Sequence, residues 1–168
     1  MSQKGTRVLL VAVLAAGVAF LAWRLWPSET RRIRQKLDGI AAVVNERPED
    51  GIGQIARVAQ LSRFVTDDVV LEPGRGAGVI HGRERLLALA SRAPNAGGLY
   101  KIEFVDVSVQ LQDEQSAIAR LTATLSSRNA ETGEDNVDAR EVELQLRRTD
   151  DWRISRITLI ETLEKPLP

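Results

Sequence analysis

Apolar and glycine positions run without interruption from Val8 to Trp23, and beyond Pro27 the hydrophobic pattern takes on a helical period and then a strand period. Ile33, Leu37, Ile40 and Val44 recur at helical spacing among Arg31, Arg32, Arg34 and Lys36, which predicts a first helix capped by Ser28 and ending before Pro48. Asp50 can cap a second helix, with Ile52, Ile55, Val58, Ala59, Leu61, Phe64 and Val65 as its apolar surface and Asp67-Asp68 as its stop. Val69-Val70-Leu71 reads as a short strand, Glu72-Pro73-Gly74 as its turn and Val79-Ile80 as the returning strand. Gly82 opens a third helix from Arg83 to Ala93, with Leu86, Leu87 and Ala90 inward. After Gly97-Gly98 the period becomes two, predicting strands over 99–111, 116–127, 138–149 and 152–163.

Connections as short as Gln112–Gln115 and Asp150-Asp151 require antiparallel neighbours, because parallel strands need a long crossover. Val142, Leu144 and Leu146 alternate with Glu141, Glu143, Gln145 and Arg147, so one face of that sheet is buried and the other wet. The fold class is therefore α+β: three helices and a short hairpin packed in the concave face of a curved, mainly four-stranded antiparallel sheet. Glycines 74, 76 and 78 do not make a phosphate loop, since Arg75 and Ala77 separate them and a strand, not a helix, follows.

The apolar run reaches Trp26 if Arg24 snorkels, long enough for one membrane helix of about 17–25 residues. Trp23 and Trp26 suit the lipid–water interface. A cleaved signal peptide is the competing reading, but the run leaves through Trp23-Arg24-Leu25-Trp26 and not through a small-residue cleavage site. The expected organisation is a basic tail (1–7), a transmembrane helix (8–26) that contacts membrane lipid, a folded domain (28–163) and a frayed tail (164–168). Arg24, Arg31, Arg32, Arg34 and Lys36 after the span outnumber Lys4 and Arg7 before it, which favours a cytoplasmic domain. A short basic leader ahead of the first apolar run is also how a signal-anchor that exports its C-terminal part begins. The expectation adopted is a single-pass inner-membrane protein with an extracytoplasmic domain, the cytoplasmic orientation remaining the alternative.

Composition removes several kinds of chemistry. There is no cysteine, so disulfides, thiolate zinc sites and thiol catalysis are out, and one histidine, His81, cannot build a multi-histidine metal site. No metal and no cofactor is expected. The 23 basic and 23 acidic side chains balance, and the three basic groups before residue 28 leave the rest mildly acidic. A nucleic-acid binder needs a basic surface for phosphates, so no nucleic-acid partner is expected.

The element order is joined by Phe64-Val65-Thr66-Asp67-Asp68-Val69 before the hairpin, Val79-Ile80-His81-Gly82-Arg83-Glu84 into the third helix and Asp151-Trp152-Arg153-Ile154 opening the last strand. With these landmarks, residues 29–163 resemble the nuclear transport factor 2-like superfamily. The resemblance implies a cone-like α+β fold with a pocket between sheet and helices, shared by ketosteroid isomerases, polyketide cyclases, dehydratases and non-catalytic assembly or binding modules. Fold alone does not choose among them.

In the isomerase branch the general base precedes a proline in the hairpin, which the resemblance carries onto Glu72 in Leu71-Glu72-Pro73. That branch takes its oxyanion donors from a tyrosine on the first helix and an aspartic acid on a strand. Here the only tyrosine, Tyr100, opens a strand. His81 is the second candidate acid–base group, its reference pKa of about 6.5 suiting proton transfer near neutrality. A loop carboxylate and a loop histidine without catalytic duty are the plainer readings of both. Phe64, Phe104 and Trp152 are core aromatics that would line the pocket with Tyr100 and Asp106. Asp106 interrupts a strand's alternation and either points inward or marks a bulge.

The incomplete acid–base set favours a membrane-anchored, non-catalytic binding or assembly module with a small apolar pocket. Its partners would be a small apolar ligand or an envelope protein, and the layout resembles the periplasmic assembly factor of type IV secretion systems. The alternative is a small-molecule isomerase or lyase using Glu72 or His81. Charges on the outer sheet face predict a monomer or weak homodimer.

Overall fold

The computed structural model describes residues 28–47, 50–74, 76–92, 98–129, 133 and 135–160. The segments read as basic tail (1–7), membrane span (8–26) and frayed tail (164–168) lie outside the described residues. Among those described, no helix is long and apolar enough to cross a membrane. The chain divides into two compact units, Met1–Arg32 and Ile33–Pro168. Of the first, Ser28 caps the coming helix, its Oγ accepting the Arg31 N–H at 3.3 Å, while Arg32 pairs with Glu29 at 3.2 Å.

In order, the elements are α1 (Glu29–Asn45), α2 (Gly51–Ser62), β1 (Val65–Glu72), β2 (Ile80–His81), α3 (Arg83–Arg92), β3 (Gly98–Leu111), β4 (Ser116–Asn129), β5 (Asp135–Arg148) and β6 (Trp152–Ile160). Ile33 and Leu37 of α1, one turn apart, are wholly buried in one cluster with Val65, Val69, Leu144, Trp152 and Ile154. Asp50 caps α2, its Oδ1 accepting the Gly53 N–H at 2.7 Å. On β5, Val142, Leu144 and Leu146 are buried while Glu141, Gln145 and Arg147 are exposed, so the strand's alternation puts its apolar face on the helices.

The sheet corrects the expected topology. It has six strands in the order β2-β1-β6-β5-β4-β3, and β1 runs parallel to β6 while the other neighbours are antiparallel. The hairpin thus extends the sheet and does not sit within its concave face. A parallel pair is available because α3 and four strands intervene between β1 and β6, ample chain for a crossover. α2 also ends earlier than expected, and Asp67-Asp68 lie inside β1, not at a helix stop. Between Val65 and Val70 the register with β6 shifts, the six residues Val65–Val70 of β1 spanning the three from Ile154 to Arg156. This bulge turns Asp67 and Asp68 to solvent, where they pair with Arg83 at 2.7 Å and Arg147 at 3.1 Å.

The buried side of α2 is rotated from the expected one. Arg57 and Leu61 face inward, one turn apart, whereas Ile52 and Ile55 are 78% and 72% exposed. At the opposite edge of the sheet, α1 ends against β3. The Asn45 side chain accepts the Ile102 N–H at 2.7 Å and donates to the Ile102 carbonyl at 2.8 Å, substituting for a neighbouring strand at an otherwise open edge.

Candidate functional site

The two candidate acid–base residues sit at the hairpin. Glu72 registers with Thr158, and Thr158 with Glu143, whose neighbours Val142 and Leu144 are core. Side chains in register share a face, so Glu72 points away from the helix-packed side. Both carboxylate oxygens are engaged there: Oε1 by the Arg156 guanidinium and Oε2 by the Thr158 hydroxyl at 2.9 Å. His81, paired with Val70, is exposed and borders a surface cleft of about 450 Å³ with Asp67, Gly82 and Arg83. Gly82, at φ +89°, makes the turn from β2 into α3 and donates its N–H to the Val69 carbonyl at 2.8 Å.

The five pocket candidates are spread along the sheet. Tyr100 pairs with Ser127 and that residue with Asn136, whereas Trp152 pairs with Arg148, twelve residues further along β5. At about 3.3 Å per residue that is roughly 40 Å of extended strand. Trp152 is 2% exposed and part of the core, and Phe104 packs against it. Phe64 is half-buried in the turn before β1. Asp106 is exposed with φ +54°, in the bulge where β3 gains one residue on β4 between Val105 and Ser108. Of its two readings the bulge holds, and aspartate is among the few side chains that adopt this backbone readily.

Tyr100 lies in a different kind of environment. Its hydroxyl accepts a hydrogen bond from Arg57 Nη1 at 3.3 Å. Arg57 is 3% exposed and gives its other hydrogen bonds to the Glu46 carbonyl at 3.1 Å and the Ala90 carbonyl at 3.5 Å. Those carbonyls stand at the C-terminal ends of α1 and α3, where the helix dipoles place partial negative charge. The buried cation is therefore compensated by two helix ends, and its Nε has no partner. A cleft of about 370 Å³ at this end of the sheet is bordered by Tyr100, Arg47, Lys101, Ser126, Ser127, Arg128 and Asp135, and the register puts the Lys101, Ser126, Arg128 and Asp135 side chains on the face opposite that of Tyr100. Arg47 Nη2 donates to the Tyr100 carbonyl at 3.0 Å, which ties the end of α1 to this rim.

Sequence reading missed Arg57 and Arg47. The available signal was that Arg57 is the one charged residue in the twelve of α2, placed one turn before Leu61. Among the described residues, no group of three or more carboxylate or imidazole side chains converges to hold a metal ion.

No family model matches the sequence, and no curated protein matches it. Solved structures do match in fold. A provisionally designated scytalone dehydratase from Novosphingobium aromaticivorans superposes with TM-score 0.65 at 12% identity, over 80% of this chain and 85% of that one. A nuclear transport factor 2-like protein with a cystatin-like fold from the same organism gives TM-score 0.63 at 19% identity, over 91% and 90% of the two chains. Aln2 from Streptomyces gives 0.59 at 14% identity, over 76% and 86%. With the helices on one face of the sheet and this strand order, the chain has the nuclear transport factor 2-like α+β fold.

Proposed function

We propose that this chain is a non-catalytic binding or assembly module, tethered to the inner membrane through residues 8–26, with its domain outside the cytoplasm and a small ligand or an envelope protein as its partner. The observation that carries the reading is the state of Glu72. A general base needs an available lone pair aimed at substrate inside a pocket. Glu72 instead points away from the core with both oxygens engaged by Arg156 and Thr158. An isomerase or lyase remains the competing reading, since one fold neighbour carries a dehydratase designation.

The test is a small-molecule screen on the full chain, scored for binding by thermal shift and for turnover by product analysis. Binding without turnover is the expected result, and turnover of any ligand that binds would overturn the reading. Cell fractionation tests the tether: the uncleaved chain is expected in the membrane fraction, and its recovery as an uncleaved soluble protein contradicts the anchor.

A further inference from the structure

We propose that the outward face of α2 is a self-association surface, on which α2 of a second copy of this chain packs antiparallel about a two-fold axis. The inference goes beyond the module reading and stands whether or not the domain turns over a ligand. At about 100° per residue, Ile52, Ile55, Ala56 and Ala59 fall on one side of the helix, opposite Arg57 and Leu61. All four are exposed, Ile52 and Ile55 at 78% and 72%. Isoleucine is ordinarily interior, and two of them one turn apart on a solvent face mark a surface that another molecule covers. The face also carries no charge, because the one charged residue of α2, Arg57, is buried. That contrasts with the outer sheet face and its ion pairs, and it meets the charge depletion found at interface centres.

The order of the side chains selects a second copy as the occupant. A two-fold contact requires a patch that complements itself. Reversing the run Ile52, Ile55, Ala56, Ala59 about a point between Ile55 and Ala56 sets Ile52 against Ala59 of the second copy and Ile55 against Ala56. Each large side chain then meets a small one, and alanine lets the helices approach to the lower end of the roughly 8–10 Å between packed axes. The two ends carry opposite charge. Asp50 stands at the N-terminus of α2 and Arg63 at its C-terminus, and neither makes an ion pair among the described residues. In the antiparallel pair, Asp50 of each copy comes near Arg63 of the other. Asp50 Oδ1 caps its own helix through the Gly53 N–H at 2.7 Å, which leaves Oδ2 for the guanidinium. Two isoleucines and two alanines per copy bury far less than the roughly 1,200–2,000 Å² of a stable interface, so the pair is weak in dilute solution and forms where copies are concentrated.

The chain has no cysteine, so each single substitution in the full chain reports one position. Two epitope-tagged copies are co-expressed, oxidised in cells with copper phenanthroline and scored for disulfide-linked dimer. Ala56→Cys lies almost on the axis and should give at least five times the dimer of Ala59→Cys, whose two positions stand roughly 10 Å apart along the helices. Ile52→Cys in one copy with Ala59→Cys in the other should crosslink as well as Ala56→Cys. Ala139→Cys, exposed on the outer sheet face, should give no more than Ala59→Cys. Ile55→Glu added to Ala56→Cys sets two carboxylates at the axis and should abolish the dimer with little change in melting temperature. The surface is overturned if Ala56→Cys yields no self-dimer, or no more than Ala59→Cys or Ala139→Cys, which would signify random collision. A crosslink from Ala56→Cys to a different protein in place of the self-dimer overturns it too. Loss of the self-dimer leaves the module reading standing, whereas turnover in the screen removes that reading and leaves this surface.

Discussion

Trp152 and Arg57 are both almost wholly buried, at 2% and 3% exposure, yet only one of them was legible in the sequence. An indole opening an alternating strand has one physical destination, the core. Trp152→Ala should cost about 3–5 kcal/mol in urea unfolding, and a change under about 0.5 kcal/mol would put the ring at the surface. Arg57 was illegible because a charged side chain in a helix ordinarily marks the solvent side. Only the tertiary meeting of two helix C-termini makes an interior position suitable for it. A further residue contact sets a pH dependence. Burial pushes the Asp151 carboxyl up, but the Lys36 ammonium that bonds it and the Trp152 N–H at 2.8 Å outweigh this and hold it below its usual range. With the folded value below the unfolded one, this stabilisation is complete above the unfolded value of about 3.9 and is lost as pH falls through the folded value. Melting temperature should therefore drop more for the wild type than for Asp151→Asn between about pH 6 and pH 3. Parallel curves would show that the pair contributes nothing.

At the scale of elements, the helices and the four-strand meander were legible because their periods are long and their connections short. The placing of β1 was not, since a parallel partner nearly ninety residues away leaves no mark on local periodicity, and its bulge hides the strand behind two aspartates. That hidden register decides the site: it turns Glu72 to the outer face, where a family resemblance would have assigned a base. α2 gives the sharpest check on element orientation. Its apolar residues occupy more than one face, so hydrophobicity alone could not select the side that packs on α3. With Ile55 72% exposed, Ile55→Glu should change stability by no more than about 0.5 kcal/mol. Leu61→Ala, at 8% exposure, should cost about 2–5 kcal/mol. The reverse ranking in denaturant titrations would mean that α2 is rotated by half a turn.

For the whole molecule, the outer sheet face is crossed by cross-strand ion pairs, Arg120 with Glu143, Arg147 with Asp68 and Arg156 with Glu72. Interfaces deplete charge at their centre, so residues 28–168 should sediment as a monomer or weak dimer at micromolar concentration. A tight dimer indifferent to salt would contradict that. The same face bears on function, because the Arg156–Glu72 pair that blunts association also occupies the carboxylate an isomerase would need. The central claim is that this domain binds and does not catalyse, and the most direct measurement is product formation across the screened ligands for the wild type, Glu72→Gln and His81→Ala. The account predicts no turnover in any of the three and unchanged ligand-induced stabilisation in both variants. Wild-type turnover that disappears in either variant would contradict it.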